Sequence, residues 1–160
     1  MDGIRCSSDS LADTLKGRRQ RSGGQCSICI RCNPDVDFKT LSGVMNQATA
    51  VGIWDISLQV EGHSEPVDCS RPAVDEFQEV YELQDVHEDT PQDMVHITVS
   101  AKILSVNGSG CALSELNGKL KGKTGTAVVM ARADASAGQI HEILSTCKSR
   151  SLQACLFGRD

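Results

Sequence analysis

The sequence predicts an α+β fold: a small, mostly antiparallel β-barrel or sandwich capped by two helices, with an N-terminal tail and a C-terminal helix. Residues 102–130, KILSVNGSGCALSELNGKLKGKTGTAVVM, have the pattern of strand, turn, short helix, turn and strand. Residues 36–41, 56–60 and 95–101 alternate apolar and polar side chains, as half-buried strands do. Ser136–Lys148 predicts an amphipathic helix, because one helical face carries Ile140, Ile143, Leu144 and Cys147.

Residues 1–35 are predicted to form a flexible tail before the folded body. Ser10 is typical of a helix N-cap, and Asp13 occupies the reciprocal position of a capping box. A basic cluster follows, formed by Lys16, Arg18, Arg19 and Arg21. Such a cluster is most often a solvated surface; the alternative is a site for phosphates, acidic lipids or an import receptor.

The motif CSICIRC raises the hypothesis of a metal site at Cys26, Cys29 and Cys32. Two thiolates three residues apart can hold one tetrahedral zinc ion from a single turn, and the third thiolate adds a ligand. A structural zinc site needs four ligands, so Cys6, Cys69 or a distant histidine such as His63 would have to complete it. The motif lacks the Pro-flanked fourth cysteine of an iron–sulfur run. The alternative is three reduced thiols without metal.

The body is expected to span residues 36–133, followed by a C-terminal helix and tail at residues 134–160. Val36–Leu41 is expected as the first strand and Ile56–Val60 as the second. Val80–Val86, within a strongly acidic stretch, is expected as the third.

The stretch 102–130 forms a closed unit. Asn107-Gly108 predicts a turn, because both residues tolerate positive φ. Leu113, Leu116 and Leu120 then fall on one helical face. The glycines of GKTGT end that helix, and Ala127–Met130 begins the next strand.

This unit resembles the second half of a PDZ domain. In that family a strand ending in ILSVNG leads into the second helix, and a GK-x-GT turn, in the form found in plant, algal and bacterial members, begins the last strand. Upstream, Ala50-Val51-Gly52-Ile53 fits the family's carboxylate-binding loop X-Φ-G-Φ. The chain departs from the family where Ala50 replaces the first glycine and where Ser100-Ala101 replaces the usual Gly-Asp.

The resemblance implies a groove for the C-terminal peptide of a protein partner, which adds as a strand beside the second strand. Backbone N–H groups of the X-Φ-G-Φ loop would bind the carboxylate. Leu113 stands where members that favour Ser or Thr in the ligand have His, so an apolar ligand side chain is expected there. The peptide-binding residues implied are Ala50, Val51, Gly52, Ile53, Ile56, Leu113, Asn117 and Leu120.

Composition narrows the function classes. The 160 residues include 23% charged and 39% hydrophobic residues, a globular balance, and the net charge of −5 argues against a general nucleic-acid binder. There is no apolar run of membrane-spanning length, and MDGIRCSSDS lacks the apolar core of a signal peptide, so a soluble, cytoplasmic protein is expected. The eight cysteines are then expected to be reduced.

No motif indicates catalysis. The sequence contains no G-x-S-x-G elbow, no H-E-x-x-H pair and no complete phosphate loop. Three hypotheses follow: a non-enzymatic peptide-binding adaptor without cofactor, a metal-clipped interaction protein centred on CSICIRC, and a divergent PDZ-derived domain without ligand.

Overall fold

The computed structural model describes residues 8–69 and 94–159. Over these ranges the chain forms an α+β structure of four helices and two mixed sheets, which confirms the predicted class. The helices are α1 (Ser8–Arg21), α2 (Phe38–Ala50), α3 (Leu116–Lys119, after a 3₁₀ turn at Leu113–Glu115) and α4 (Ala137–Ser149). The strands are β1 (Ser27–Cys32), β2 (Asp55–Val60), β3 (Val67–Asp68), β4 (Met94–Val99), β5 (Leu104–Val106), β6 (Ser109–Gly110), β7 (Thr126–Arg132) and β8 (Gln153–Arg159).

The described strands do not close into a barrel, and the longest pairings are parallel. One sheet has the order β1-β2-β3 and the other the order β6-β5-β4-β7-β8. The parallel pairs are β1–β2, β4–β7 and β7–β8, whereas β2–β3, β4–β5 and β5–β6 are short antiparallel pairs. The prediction of a mostly antiparallel barrel was therefore wrong. Helices α2 and α4 each connect two parallel neighbours, and such crossovers are what parallel pairing requires.

The predicted first strand, Val36–Leu41, was also wrong, because helix α2 begins at Phe38. Asp37 is its N-cap, and its side chain accepts a hydrogen bond from the Thr40 N–H at 2.8 Å. Phe38, Leu41 and Met45 are buried on one helical face together with Ala48. Over six residues the alternation of apolar and polar side chains concealed this helical spacing.

Downstream of β3 the local predictions were mostly confirmed. Strand β4 covers most of residues 95–101, and Asn107 and Gly108 both have positive φ (+49° and +76°) in the turn between β5 and β6. Helix α4 buries all four residues of the predicted apolar face. Strand β8, in contrast, has no clear period in the sequence and was not predicted. The expected third strand, Val80–Val86, lies outside the described residues.

Two βαβ units of the chain share one topology and form an internal repeat, with an offset of 99 residues between their first strands and helices and of 98 between their second strands. Unit one is β1-α2-β2 and unit two is β7-α4-β8. Helix α2 starts at Phe38 and α4 at Ala137, 99 residues later, and each has 13 residues. The same offset relates the N-caps Asp37 and Ser136. It also relates Gly52 and Ser151, which follow the helices with φ of +78° and +59°.

The units meet at the start of their helices through a symmetric set of backbone hydrogen bonds. The Phe38 N–H donates to the Ala135 carbonyl at 2.8 Å, and the Ala137 N–H donates to the Val36 carbonyl at 2.7 Å. A second pair joins Lys39 to Ala133 and Gly138 to Pro34. An offset of 99 converts each bond of a pair into the other, so the two N-caps lie beside a local two-fold axis.

The hydrophobic core is shared between the units. A single cluster contains buried residues of both helices and both sheets. Helix α4 packs on β2 of unit one and on the adjacent strand β3, and α2 contacts β7 of unit two. The boundary predicted at residue 35 falls inside unit one, between β1 and α2, so β1 is part of the same sheet as β2.

Candidate functional site

The predicted carboxylate-binding loop lies at the C-terminal end of α2. Ala50, Val51 and Gly52 line an open cavity of about 590 Å³ with Lys16 and Arg19 of the predicted basic cluster. The remaining lining residues are Gln20, Gly24 and Thr49. The cavity lies at the end of the sheet where both β1 and β2 begin, since Gly24 and Gly52 come just before these parallel strands.

The backbone N–H groups of this loop are already hydrogen-bonded within the chain. The Val51 and Ile53 N–H groups both donate to the Ala48 carbonyl, at 3.2 and 3.0 Å. The Gly52 N–H donates to the Thr49 carbonyl at 2.9 Å. A helix C-terminus presents carbonyl oxygens rather than N–H groups, and Arg19 Nη1 donates to the Val51 carbonyl at 3.1 Å. The loop therefore does not form a backbone nest for a carboxylate.

The other predicted groove residues are not assembled around this loop. Ile53 and Ile56 are core residues, each 1% exposed, and β2 is paired on both sides, with β1 and with β3. The edge beside which a peptide was expected to add is thus occupied. The three predicted groove residues after β6 lie in different environments. Leu120 is fully buried, and Leu113 is partly buried against the core. Asn117 Oδ1 accepts a hydrogen bond from Arg150 Nε at 2.7 Å.

The cysteines of CSICIRC do not converge on one point, because the motif is a strand rather than a turn. Cys29 is exposed, whereas Cys26 and Cys32 are half-buried and lie about 20 Å apart at the strand's rise per residue. Burial raises the pKa of the Cys32 thiol, which disfavours a thiolate ligand. Within residues 8–69 and 94–159, no cluster of three or more His, Cys, Asp or Glu side chains is placed to hold a metal ion.

Strand β1 pairs with β2 along one edge, and no described strand pairs with its other edge, which we call the open edge. It lies at the end of its sheet, with β2 as its neighbour. The Cys32 carbonyl accepts from the Glu61 N–H at 2.9 Å, and the Ile28 carbonyl accepts from Ser57 Oγ at 3.4 Å. Both acceptors point toward β2, and backbone groups alternate in direction along a strand. The N–H and carbonyl of Cys29 consequently point away from β2.

The core-facing side chains of β1 are less buried than their counterparts in unit two. Ile28, Ile30 and Cys32 face the core but are only half-buried. Their counterparts 99 residues later, on β7, are Ala127, Val129 and Ala131, and these are fully buried. The difference is that β4 lies beside β7 and no described strand lies beside β1. Apolar side chains left half-exposed along an unpaired edge are a template for strand addition.

A pair of histidines lies beside a serine hydroxyl, since Ser145 Oγ is 3.5 Å from His141 Nδ1. His63 and His141 pack with ring centroids 4.3 Å apart. His141 is buried, and its Nε2 lies 2.9 Å from the Glu65 carbonyl oxygen. A carbonyl only accepts, so Nε2 carries the proton in this contact. The ring therefore fastens the loop after β2 to helix α4.

No family model, no curated protein and no solved structure matches this chain. None of the helices in the described ranges combines the length and apolar composition needed to cross a bilayer. The candidate site is accordingly defined by the structure: it is the open edge of β1.

Sequence reasoning missed this site because residues 1–35 were predicted to be a tail. The alternation of Ile28, Ile30 and Cys32 within CSICIRC is a strand signal, but the cysteines drew attention to metal binding instead.

Proposed function

We propose that this chain is a non-enzymatic adaptor that binds an extended peptide segment of a partner protein, and that the peptide adds as a strand to the open edge of β1. The observation that carries the proposal is the half-exposure of Ile28, Ile30 and Cys32, whose counterparts in the repeat are covered by a neighbouring strand. The mode is the one that the PDZ resemblance of residues 102–130 implies, namely strand addition, but the receiving strand is β1 instead of β2.

Two contributions favour such binding. The outward N–H and carbonyl of Cys29 would gain hydrogen-bonding partners from the peptide backbone, which gives alignment without dependence on peptide sequence. Completing the burial of Ile28 and Ile30 adds a hydrophobic contribution, and full burial of one such side chain is worth roughly 1.5–3 kcal/mol. Since both side chains are already half-buried, each would contribute the lower part of that range.

The test is a peptide-library screen against the whole chain, followed by titration of the enriched peptides. Trp54, the single tryptophan, is 46% exposed and directly precedes β2, beside the start of β1, so its fluorescence can report binding. Cys29→Pro removes the outward N–H while leaving the bonds to β2, because proline is tolerated on an edge strand when its nitrogen faces solvent. We expect at least about tenfold weaker binding for Cys29→Pro and unchanged binding for the matched control Cys29→Val.

N-methylated peptides make the same test without altering the protein. Methylation of the peptide nitrogens that face β1 should abolish binding, whereas methylation of the intervening nitrogens should not. Failure to enrich any peptide, or equal binding of both methylated series, would overturn the proposal and favour a divergent domain without ligand.

A further inference from the structure

The repeat defines a strand position beside β1 that no described strand occupies. In unit two, β7 lies between β4 and β8, and in unit one the equivalent strand β1 has β2 on the side that corresponds to β8. Strand β4 runs parallel to β7, with Met94 opposite Thr126 and Val99 opposite Ala131. Applying the offset of 99 to β7 gives a parallel strand of six residues opposite Ser27 to Cys32.

The same comparison indicates which side chains fit. Val95, Ile97 and Val99 of β4 face the core and are fully buried, and they alternate with half-buried residues. They lie beside Ala127, Val129 and Ala131 of β7, whereas the corresponding positions of β1 hold the larger residues Ile28, Ile30 and Cys32. An incoming strand therefore has less room at its inward positions, which favours Val or Ala over Ile.

Charge indicates what precedes these six residues in the partner. From residue 14 to residue 32 the chain carries only positive charges, at Lys16, Arg18, Arg19, Arg21 and Arg31, although its net charge is −5. Lys16 and Arg19 line the cavity at the start of β1. Acidic residues before a parallel strand would thus meet positive charge in unit one.

We propose that the partner segment is an acidic run followed by six residues with Val or Ala at alternate positions, and that it adds parallel to β1. This inference rests on the proposed function and specifies its ligand. An antiparallel C-terminal peptide would bring its carboxylate to the same basic cavity. That arrangement is disfavoured because the N–H groups of Val51, Gly52 and Ile53 are bonded within the chain and Arg19 already donates to the Val51 carbonyl.

The experiment uses a twelve-residue synthetic peptide with blocked ends: Asp and Glu residues followed by alternating Thr and Val. A nitroxide-bearing amino acid is placed at its N-terminus or, in a second peptide, at its C-terminus, and amide resonances of the whole chain are recorded. The parallel arrangement predicts that the N-terminal label broadens Ser27 and the C-terminal label broadens Asn33. A control peptide with the acidic run moved to its C-terminus should bind about tenfold more weakly at low salt, and the difference should shrink at high salt.

The outcomes separate the two proposals. Binding with the labels reversed, or equal affinity for both peptides at low salt, overturns the parallel acidic segment but leaves peptide binding at β1 intact. If Cys29→Pro loses binding but the labels show an antiparallel peptide, peptide binding at β1 is again supported and the parallel arrangement is overturned. Absence of binding by these peptides and by the library overturns both proposals, as does self-association of the chain through β1 without peptide.

Discussion

Two residues in left-handed conformation, Gly52 and Ser151, occupy equivalent positions after α2 and α4 but differ in how well they suit them. A Cβ on Gly52 would lie 2.8 Å from Arg19 Cζ, and φ is +78°. Left-handed backbone costs a non-glycine residue roughly 1–2 kcal/mol. Gly52→Ala is therefore expected to lower the free energy of unfolding by about 1–2 kcal/mol, and Ser151→Gly to raise it by about 0.5–1 kcal/mol after the entropy of the unfolded glycine is subtracted.

Urea denaturation monitored by circular dichroism measures both changes. The matched control is Gly17→Ala in α1, where a Cβ meets nothing within 4 Å and φ is not positive; it should stabilise by about 1 kcal/mol. If Gly52→Ala stabilised the protein as much as Gly17→Ala does, the predicted strain of a side chain in the left-handed conformation at residue 52 would be contradicted.

Buried thiols set the behaviour of the protein at alkaline pH. Burial, with a smaller effect of the Asp68 charge, raises the pKa of Cys69 to about 12, and burial raises that of Cys147 to about 11, from an ordinary value of 9.0. A raised pKa in the folded state means that stability is complete below pH 9 and is lost as the pH rises toward 11 and 12. The free energy of unfolding should therefore fall above about pH 9.

The double variant Cys69→Ala, Cys147→Ala isolates this effect. It should be less stable at pH 7, because two buried side chains are truncated, but its stability should decline less steeply above pH 9. Lysine titration occurs in both proteins and cancels in the comparison. Identical slopes for the two proteins would show that these thiols do not control the alkaline transition.

At the scale of elements, the two long helices of the repeat start in different ways. Ser136 Oγ accepts from the Gln139 N–H at 3.2 Å, and the Gln139 side chain accepts from the Ser136 N–H at 3.0 Å, a complete capping box. Helix α2 has the N-cap Asp37 without the reciprocal bond of a capping box, and the hydrogen bonds from Thr40 lower the pKa of Asp37. Ser136→Ala should destabilise the protein by about 1 kcal/mol, and Ser136→Asp should retain most of the stability, as measured by thermal unfolding. Equal losses in the two variants would argue against capping.

The elements that the sequence predicted correctly are those with a long or doubled signal. Helix α4 combines a capping box with a 13-residue apolar stripe, and the turn at Asn107-Gly108 depends on residues that tolerate positive φ. Val36–Leu41 was wrongly predicted as a strand, because six residues fit both the strand period of two and the helix period of 3.6. Only the continuation of the apolar spacing to Met45 and Ala48 distinguishes a helix from a strand. The candidate site could not be predicted because it lies on β1, and the cysteines of this strand had been interpreted as metal ligands in a flexible tail.

At the scale of the whole molecule, the repeat could not be found by comparing residues. From Ser27 to Ile53 the offset of 99 matches just one identical pair, Asp35 and Asp134. Across β2 and β8, where strand pairing gives an offset of 98, the one identical pair is Leu58 and Leu156. The shared property is burial: Leu41 and Ile140 are both in the core, as are Met45 and Leu144. Many sequences satisfy such a pattern, so the sequence could not reveal the parallel topology or the edge of β1 that no described strand covers; both follow from the observed strand pairing.

The shared core predicts that the two halves stay together when the chain is cut. A protease site inserted between Cys69 and Met94 would separate a fragment with unit one from a fragment with unit two. Because α4 packs on β2 and β3, and four backbone hydrogen bonds join the units, we expect the fragments to elute as one complex with an unchanged circular dichroism spectrum.

Ala137→Pro tests the junction within this complex. Proline suits the first residue of α4, but it removes the N–H that donates to the Val36 carbonyl at 2.7 Å. Leaving that carbonyl unpaired costs about 1–3 kcal/mol, so reassociation of the urea-separated fragments should weaken by roughly tenfold or more. The control Ala137→Gly keeps the N–H and adds no atom at this buried position, so its fragments should reassociate more tightly than those of Ala137→Pro. Fragments that separate without denaturant, each with its own cooperative unfolding transition, would show that each unit has an independent core and that the junction does not hold the molecule together.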